Sequence, residues 1–292
     1  LPLPDLLRLI GLVFAAVSLV VLGDTAGKLL TSGGVDPFLV AWSRFALAAL
    51  ALLPFSGLCR AELPDLLDRR VLIRGLFIAC GISSILTALK TEPIANVFGA
   101  FFIGPVVSYV LAVLFLRERP SALRGLLLGL GFLGVMLVVK PGFGATPGIG
   151  FALLAGTFYG AYLVMTRVVA GDFRPRFLLI SQLLIGTVAL APLAAMAEVP
   201  PVDLRLSFLV LLSAAGSAVG NFLLVLANRR AEASLIAPLV YSQLISATVL
   251  GVLVFGDWPD AWSLIGLAVI AASGIGSLVL QRPVRAVQTG RP

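Results

Sequence analysis

The sequence predicts an all-α integral membrane protein, with ten transmembrane helices arranged as two inverted five-helix repeats around a central cavity. Three observations carry that expectation. Hydrophobic residues make up 60% of the chain and charged residues 12%, with a mean hydropathy of +1.09, whereas a soluble domain carries roughly a quarter charged residues. The apolar residues fall into ten runs near the length needed to cross a bilayer. The arginines and lysines alternate, loop by loop, between a rich side and a poor side.

A helix crosses ~30 Å of hydrocarbon with about 20 apolar residues. The runs cover 9–30, 38–53, 71–89, 94–116, 122–139, 148–169, 177–196, 207–228, 233–255 and 261–280. Turn and breaker residues separate them: Gly33-Gly34, Pro54, Lys90-Thr91-Glu92-Pro93, Pro120, Pro141-Gly142, Pro200-Pro201 and Pro259. The first run is too long for the core of a cleaved signal peptide and is expected to stay as a span.

Sixteen cations fall on one side, from Arg8 and Arg60, Arg69, Arg70 and Arg74 through to Arg282, Arg285 and Arg291. Only Lys90, Lys140 and Arg205 fall on the other. By the positive-inside rule both termini are cytoplasmic, which demands an even number of spans. The expected location is therefore the bacterial inner membrane. The net charge of +7 resides in these short loops, so it orients the chain and is no nucleic-acid footprint. Cys59 in a charged loop and Cys80 in an apolar run are unfit partners for a disulfide.

Shifting the sequence by 139 residues lays Gly11 on Gly150, Lys28 on Arg167, Phe38 on Phe177, Ala88 on Ala227 and Glu118-Arg119-Pro120 on Asp257-Trp258-Pro259. The repeats are expected at 1–142 and 143–282, followed by a short basic cytoplasmic tail at 283–292. Five spans per repeat is an odd number, so the second half enters the membrane upside down. Inverted repeats are a transporter device: one fold yields two related conformations, open to opposite sides.

The stretch from Ala95 to Val139 holds Gly104-Pro105, then Leu116-Arg117-Glu118-Arg119-Pro120, then a helix with Gly125, Gly129, Gly131 and Gly134. Its counterpart holds Pro238, then Phe255-Gly256-Asp257-Trp258-Pro259 and Gly266. With Lys28 and Arg44-Phe45, this resembles the EamA-type branch of the drug/metabolite transporter superfamily over nearly the whole chain. Asp257 departs from the usual glutamate, a mild change. The resemblance implies a cavity between the halves and export of amino acids or related metabolites, as in the aromatic amino-acid exporters of that group. Members also carry drugs, nucleotide sugars and S-adenosylmethionine, so the substrate stays open.

Ionisable groups inside a bilayer are costly, by roughly 2.5–3.5 kcal/mol each on insertion scales. Asp24, Lys28 and Arg44 are the three expected within spans, and all could meet in the outer half of the bundle. One reading makes them a net positive site for a substrate carboxylate. The favoured one pairs Asp24 with Arg44 and lets Lys28 snorkel outward. Polar stripes mark further faces: Ser213, Ser217, Asn221 and Asn228; Tyr159, Tyr162 and Thr166; Ser84, Thr87 and Thr91; Ser234, Tyr241 and Thr248. Of these, Asn221, Tyr241 and Gln243 are the strongest candidates for cavity lining, with Tyr159, Tyr162 and Ser84 beside them. Phe98, Phe101 and Phe102 could stack on a substrate ring, although phenylalanines in membrane helices more often face lipid. Gly104, Pro105 and Pro238 mark helix breaks at corresponding places in the two halves, a pointer to a transport site.

The chain has no histidine, which removes Ser-His and HExxH chemistry. A lone intramembrane carboxylate cannot form an aspartyl-protease pair, and no glycine-lysine phosphate loop appears. A channel would need charge rings or a carbonyl filter. An enzyme, a metal and a cofactor are therefore not expected. The expected partners are a lipid bilayer and a small-molecule substrate, for a chain acting as a monomer.

Overall fold

The computed structural model describes residues 3–117, 122–140, 146–230 and 239–279. The described residues form helices α1 (Leu3–Ser32), α2 (Pro37–Ser56), α3 (Arg69–Leu89), α4 (Ile94–Phe101), α5 (Gly104–Phe115), α6 (Ala122–Val139), α7 (Pro147–Val169), α8 (Pro175–Met196), α9 (Leu204–Arg230), α10 (Gln243–Leu250) and α11 (Ala261–Val279). A π-helical turn, Gly251–Phe255, continues α10, and two 3₁₀ turns lie between α2 and α3.

Local chemistry sets the ends. The Asp36 carboxylate accepts from the backbone N–H groups of Phe38 and Leu39 ahead of Pro37, and α2 stops at Gly57, whose φ is 60°. Asp68 caps α3 by accepting from Arg70 N–H, and Thr146 caps α7 just before Pro147. These side chains satisfy donors that a helix start leaves free. Proline at the first position costs nothing there.

Seven stretches are long and apolar enough to cross a membrane: Leu7–Ser32, Pro37–Ser56, Arg69–Leu89, Ile94–Phe115, Pro147–Val169, Pro175–Met196 and Leu204–Leu224. Gly125–Val139, Gln243–Phe255 and Ala261–Gly276 are shorter apolar helices. These ten stretches follow the ten predicted runs in order. The run at 94–116 is two helices, Ile94–Phe101 and Gly104–Phe115, with the break beside Gly104-Pro105, where the sequence marks one. The run at 233–255 is described only from Leu239, so the break expected at Pro238 lies outside the described residues. Apolar side chains such as Leu50 (73% exposed) and Leu253 (76%) cover the outside, as lipid-facing helices require.

The principal packing pairs all join a helix before residue 140 to one after 146: α1 with α9, α3 with α7, α2 with α8, and α6 with α11. Lipid tails are as apolar as leucine, so small residues that admit close backbone contact hold such pairs together. On α9, a Cβ at Gly216 would lie 2.8 Å from the Leu19 carbonyl oxygen of α1. On α6, a Cβ at Gly134 would lie 2.8 Å from the Gly266 carbonyl oxygen of α11. Any larger residue would push either pair apart.

Candidate functional site

The break in the fourth run organises the centre. Phe102 N–H bonds to the Phe98 carbonyl and Ile103 N–H to that of Ala100. The helix then restarts at Gly104 with Pro105 in its first turn, where a missing N–H is harmless. Gly104 also lets this turn touch α7, since a Cβ there would sit 2.9 Å from the Gly156 carbonyl oxygen. The break turns adjacent rings, Phe101 and Phe102, toward different neighbours.

Phe101 meets Tyr159 of α7 with ring centroids 5.1 Å apart, and Tyr159 stacks on Tyr162 at 5.9 Å. Phe102 stacks on Tyr241, ahead of α10, at 4.7 Å and 21°. Phe101 and Phe102 contact each other edge-on at 6.3 Å, and Phe98 meets Phe101 edge-on at 6.4 Å. The result is a continuous chain of rings, Tyr241–Phe102–Phe101–Tyr159–Tyr162, in which Phe101 and Phe102 from before 140 bridge tyrosines from after 146. Phe98 is 1% exposed and Phe102 8%, which corrects the favoured expectation that these phenylalanines face lipid.

The other candidates are dispersed. Gln243 is buried and makes no side-chain hydrogen bond among the described residues, while Asn221 is exposed and donates to the Ser217 carbonyl of its own helix. Ser84 opens, with Cys80, Thr87, Phe151 and Phe158, into a crevice of about 180 Å³. A groove of about 660 Å³, lined by Ile10, Phe14, Tyr241, Thr248 and other apolar residues, runs between α1, α10 and α11.

The three intramembrane charges split. Arg44 Nη1 donates to Asp24 at 2.5 Å, its Nη2 to the Gly23 carbonyl and its Nε to Ser213 Oγ, each at 2.8 Å. That pair was the favoured expectation, and it commits the Asp24 carboxylate to Arg44. Lys28 neither joins it nor snorkels. It is 7% exposed, and it donates to Asp257 at 3.1 Å and to the Glu92 carbonyl at 2.7 Å. A lysine buried this deeply needs a counter-charge, and the residue four positions away already has one. The Glu92 carboxylate, itself buried, accepts from the hydroxyls of Thr146 and Thr91.

Arg74 was missed. It was grouped with the loop cations, yet it lies more than one turn inside α3 and is 3% exposed. Its Nε donates to Thr166 Oγ1 and its Nη1 to the Leu178 carbonyl at 2.8 Å. Its Nη2 donates to the Tyr162 hydroxyl and to Gln182 Oε1 at 2.9 Å. The guanidinium lies 4.8 Å from the Tyr162 ring centroid, so Arg74 ends the chain of rings. The pair Tyr162 and Thr166, one turn apart on α7, was the available signal. Asn96, also passed over, leaves a buried side-chain oxygen without a partner among the described residues.

Comparison with known proteins gives this arrangement its family. The EamA-like transporter family matches twice, at residues 7–140 and 146–279. An S-adenosylmethionine uptake transporter of Rickettsia bellii is 27% identical over 241 residues, 80% of each chain. A riboflavin transporter of Rhizobium johnstonii is 28% identical over 241 residues, 80% of this chain and 78% of the relative. A protein of known crystal structure shares the fold with a TM-score of 0.63 at 19% identity, over 96% of this chain and 99% of that one. With both halves matched, the chain belongs to the EamA-like transporter family and is a multi-pass membrane transporter of small molecules.

Proposed function

We propose that the protein is a secondary transporter of the bacterial inner membrane whose substrate carries a flat ring, held where the Tyr241–Phe102–Phe101–Tyr159–Tyr162 chain now closes the centre. That ring chain is the observation that carries the reading. Aromatic faces exposed on opening would stack on a substrate ring, at about 1–3 kcal/mol for each stacked base. S-adenosylmethionine and riboflavin, the cargoes named for the two relatives, both carry a flat heteroaromatic ring on a polar tail. Aromatic amino acids form the second reading, because the same rings would accept them.

The ten apolar stretches form two inverted five-helix repeats, 1–142 and 143–282, with both termini cytoplasmic. The 139-residue correspondence and the pairing of every principal packing partner across the halves support this. Exchange between two such packings moves the substrate by alternating access. No step of chemical conversion is proposed. Asp24, held by Arg44, is not the coupling group, and the transport is facilitated or weakly proton-coupled.

Counterflow into proteoliposomes tests the substrate class, with labelled S-adenosylmethionine, riboflavin, phenylalanine and threonine against empty liposomes. Saturable exchange of a ring-bearing solute, with threonine inert, is the expected result. Exchange of threonine alone, or of none of the four by folded and inserted protein, would contradict the ring reading.

A further inference from the structure

Arg44 and Arg74 occupy the same kind of junction at opposite ends of the bundle. The 139-residue shift lays Gly23 on Tyr162, Gly27 on Thr166, Ser43 on Gln182, and Ser213 on Arg74. In the first junction α2 supplies the guanidinium, and Ser213 of α9 receives it. In the second, α3 supplies it from the position that corresponds to Ser213, and it lies against Tyr162, Thr166 and Gln182. The surroundings correspond but the charge does not. Asp24 neutralises Arg44, whereas its counterpart is Leu163, and among the described residues no carboxylate lies within 4.0 Å of Arg74.

Every partner of Arg74 is therefore neutral. Four of its N–H groups have acceptors, and a guanidinium carries five. A buried cation is costly unless a counter-charge accompanies it. Arginine is also the side chain whose planar fork matches a carboxylate. Beside it stand the hydroxyls of Tyr162 and Thr166, which now donate to Gln182 Oε1 and to the Tyr162 carbonyl at 2.8 Å and would turn from those acceptors to donate to a carboxylate. A carboxylate bound here would complete this junction as Asp24 completes the other.

We propose that Arg74 is the receptor for a carboxylate on the transported molecule, with Tyr162 and Gln182 giving up their places on Nη2 when it binds. This rests on the ring-stacking reading above and narrows it. The substrate bears a free carboxylate as well as a flat ring, the ring lying along the aromatic chain that starts at Tyr162. It favours an amino-acid conjugate of the S-adenosylmethionine kind over an uncharged flavin.

Thermal unfolding of the purified full chain, titrated with acetate against chloride at constant ionic strength, isolates the anion site from the ring. The wild type should gain several degrees and saturate with acetate, and Arg74→Lys should keep part of that gain. Arg74→Gln should respond to acetate no more than to chloride. Leu163→Asp, which builds an internal counter-charge in the pattern of Asp24, should unfold no earlier than wild type and lose the acetate response. An equal acetate effect in wild type, Arg74→Gln and Leu163→Asp, or none in wild type, would overturn the proposal. A second arm compares inhibition of counterflow by S-adenosylmethionine and by its decarboxylated analogue. The proposal expects at least a tenfold preference for the carboxylate form, reduced in Arg74→Lys and lost in Leu163→Asp. Equal inhibition would also overturn it. Arginine-dependent acetate protection without S-adenosylmethionine exchange would instead retain the anion site and reject that substrate.

Discussion

At the scale of single residues, the contrast between charges that are paired and charges that are not accounts for most of the polar geometry. Removing one member of a buried ion pair leaves the other uncompensated, at a cost of about 3–5 kcal/mol, whereas replacing both with apolar residues is often neutral. The protein already illustrates the second case, since Leu163 and Leu183 stand where the shift places Asp24 and Arg44. Asp24→Leu and Arg44→Leu should each lower the unfolding temperature of the purified protein by several degrees. The double variant should recover most of the loss. If the double variant is as unstable as the sum of the two single ones, the pair does not act as a unit. The residues that sequence reading placed wrongly, Lys28 and Arg74, share a cause. Distance along the chain gives the depth of a charge in the membrane but not the helix that faces it, and both are held by partners from remote segments: Asp257 and Glu92 for Lys28, and Tyr162, Thr166, Gln182 and Leu178 for Arg74.

At the scale of helices, small residues and connecting turns set how the elements meet. Gly216→Leu should force α9 from α1, because the added side chain meets the Leu19 carbonyl and the backbone of Gly23. Overpacking of this kind costs about 1–3 kcal/mol or more. A fall of several degrees in unfolding temperature is expected, and an unchanged value would show that the seam is slack. Outside the spans, Arg174 hydrogen-bonds Glu62 and the Gly57 carbonyl, tying the turn after α2 to the connection between α7 and α8. The bonds from Arg174 hold the Glu62 carboxyl down to about 2 from an ordinary 4.5. A carboxyl with a lowered folded pKa contributes its stability above the ordinary value and loses it as pH falls toward the folded one. Thermal stability should therefore decline as pH falls from 4.5 through about 2, and Glu62→Gln should flatten part of that decline. The contribution is small, as exposed ion pairs are. A slope identical in both proteins would remove the pair from the acid response. The helix ends at Asp36, Asp68 and Thr146 were within reach of sequence reasoning in principle, because caps are local. The break at Phe102-Ile103 was signalled by Gly104 and Pro105, because glycine and proline punctuation is also local.

At the scale of the whole molecule, the sequence carried the membrane class, the order of the apolar stretches and the family resemblance, because each is a property of hydropathy, charge and local motif. It could not carry which faces meet. Phe98 and Phe102 were read as lipid-facing because burial inside a bundle depends on what lies across from a helix, and apolar residues suit lipid and protein interior alike. The stripes containing Asn221 and Ser84 had the helical spacing of cavity lining, yet Asn221 turns onto its own helix and Ser84 opens into a small crevice. Tyr159, Tyr162 and Tyr241 were singled out as cavity candidates on separate stripes, but their union through Phe101 and Phe102 arises only when segments from before 140 and after 146 meet. That meeting of segments supports the ring chain as the proposed place for a substrate. Saturation binding to wild type and to Tyr241→Ala, using whichever labelled ring-bearing solute exchanges in counterflow, measures this. A loss of one base-stacking interaction, about 1–3 kcal/mol, corresponds to roughly fivefold to 150-fold weaker binding. Affinity should fall by at least about fivefold in Tyr241→Ala while its unfolding transition stays cooperative. An unchanged Kd in folded Tyr241→Ala would place the substrate elsewhere and contradict the central role of the rings.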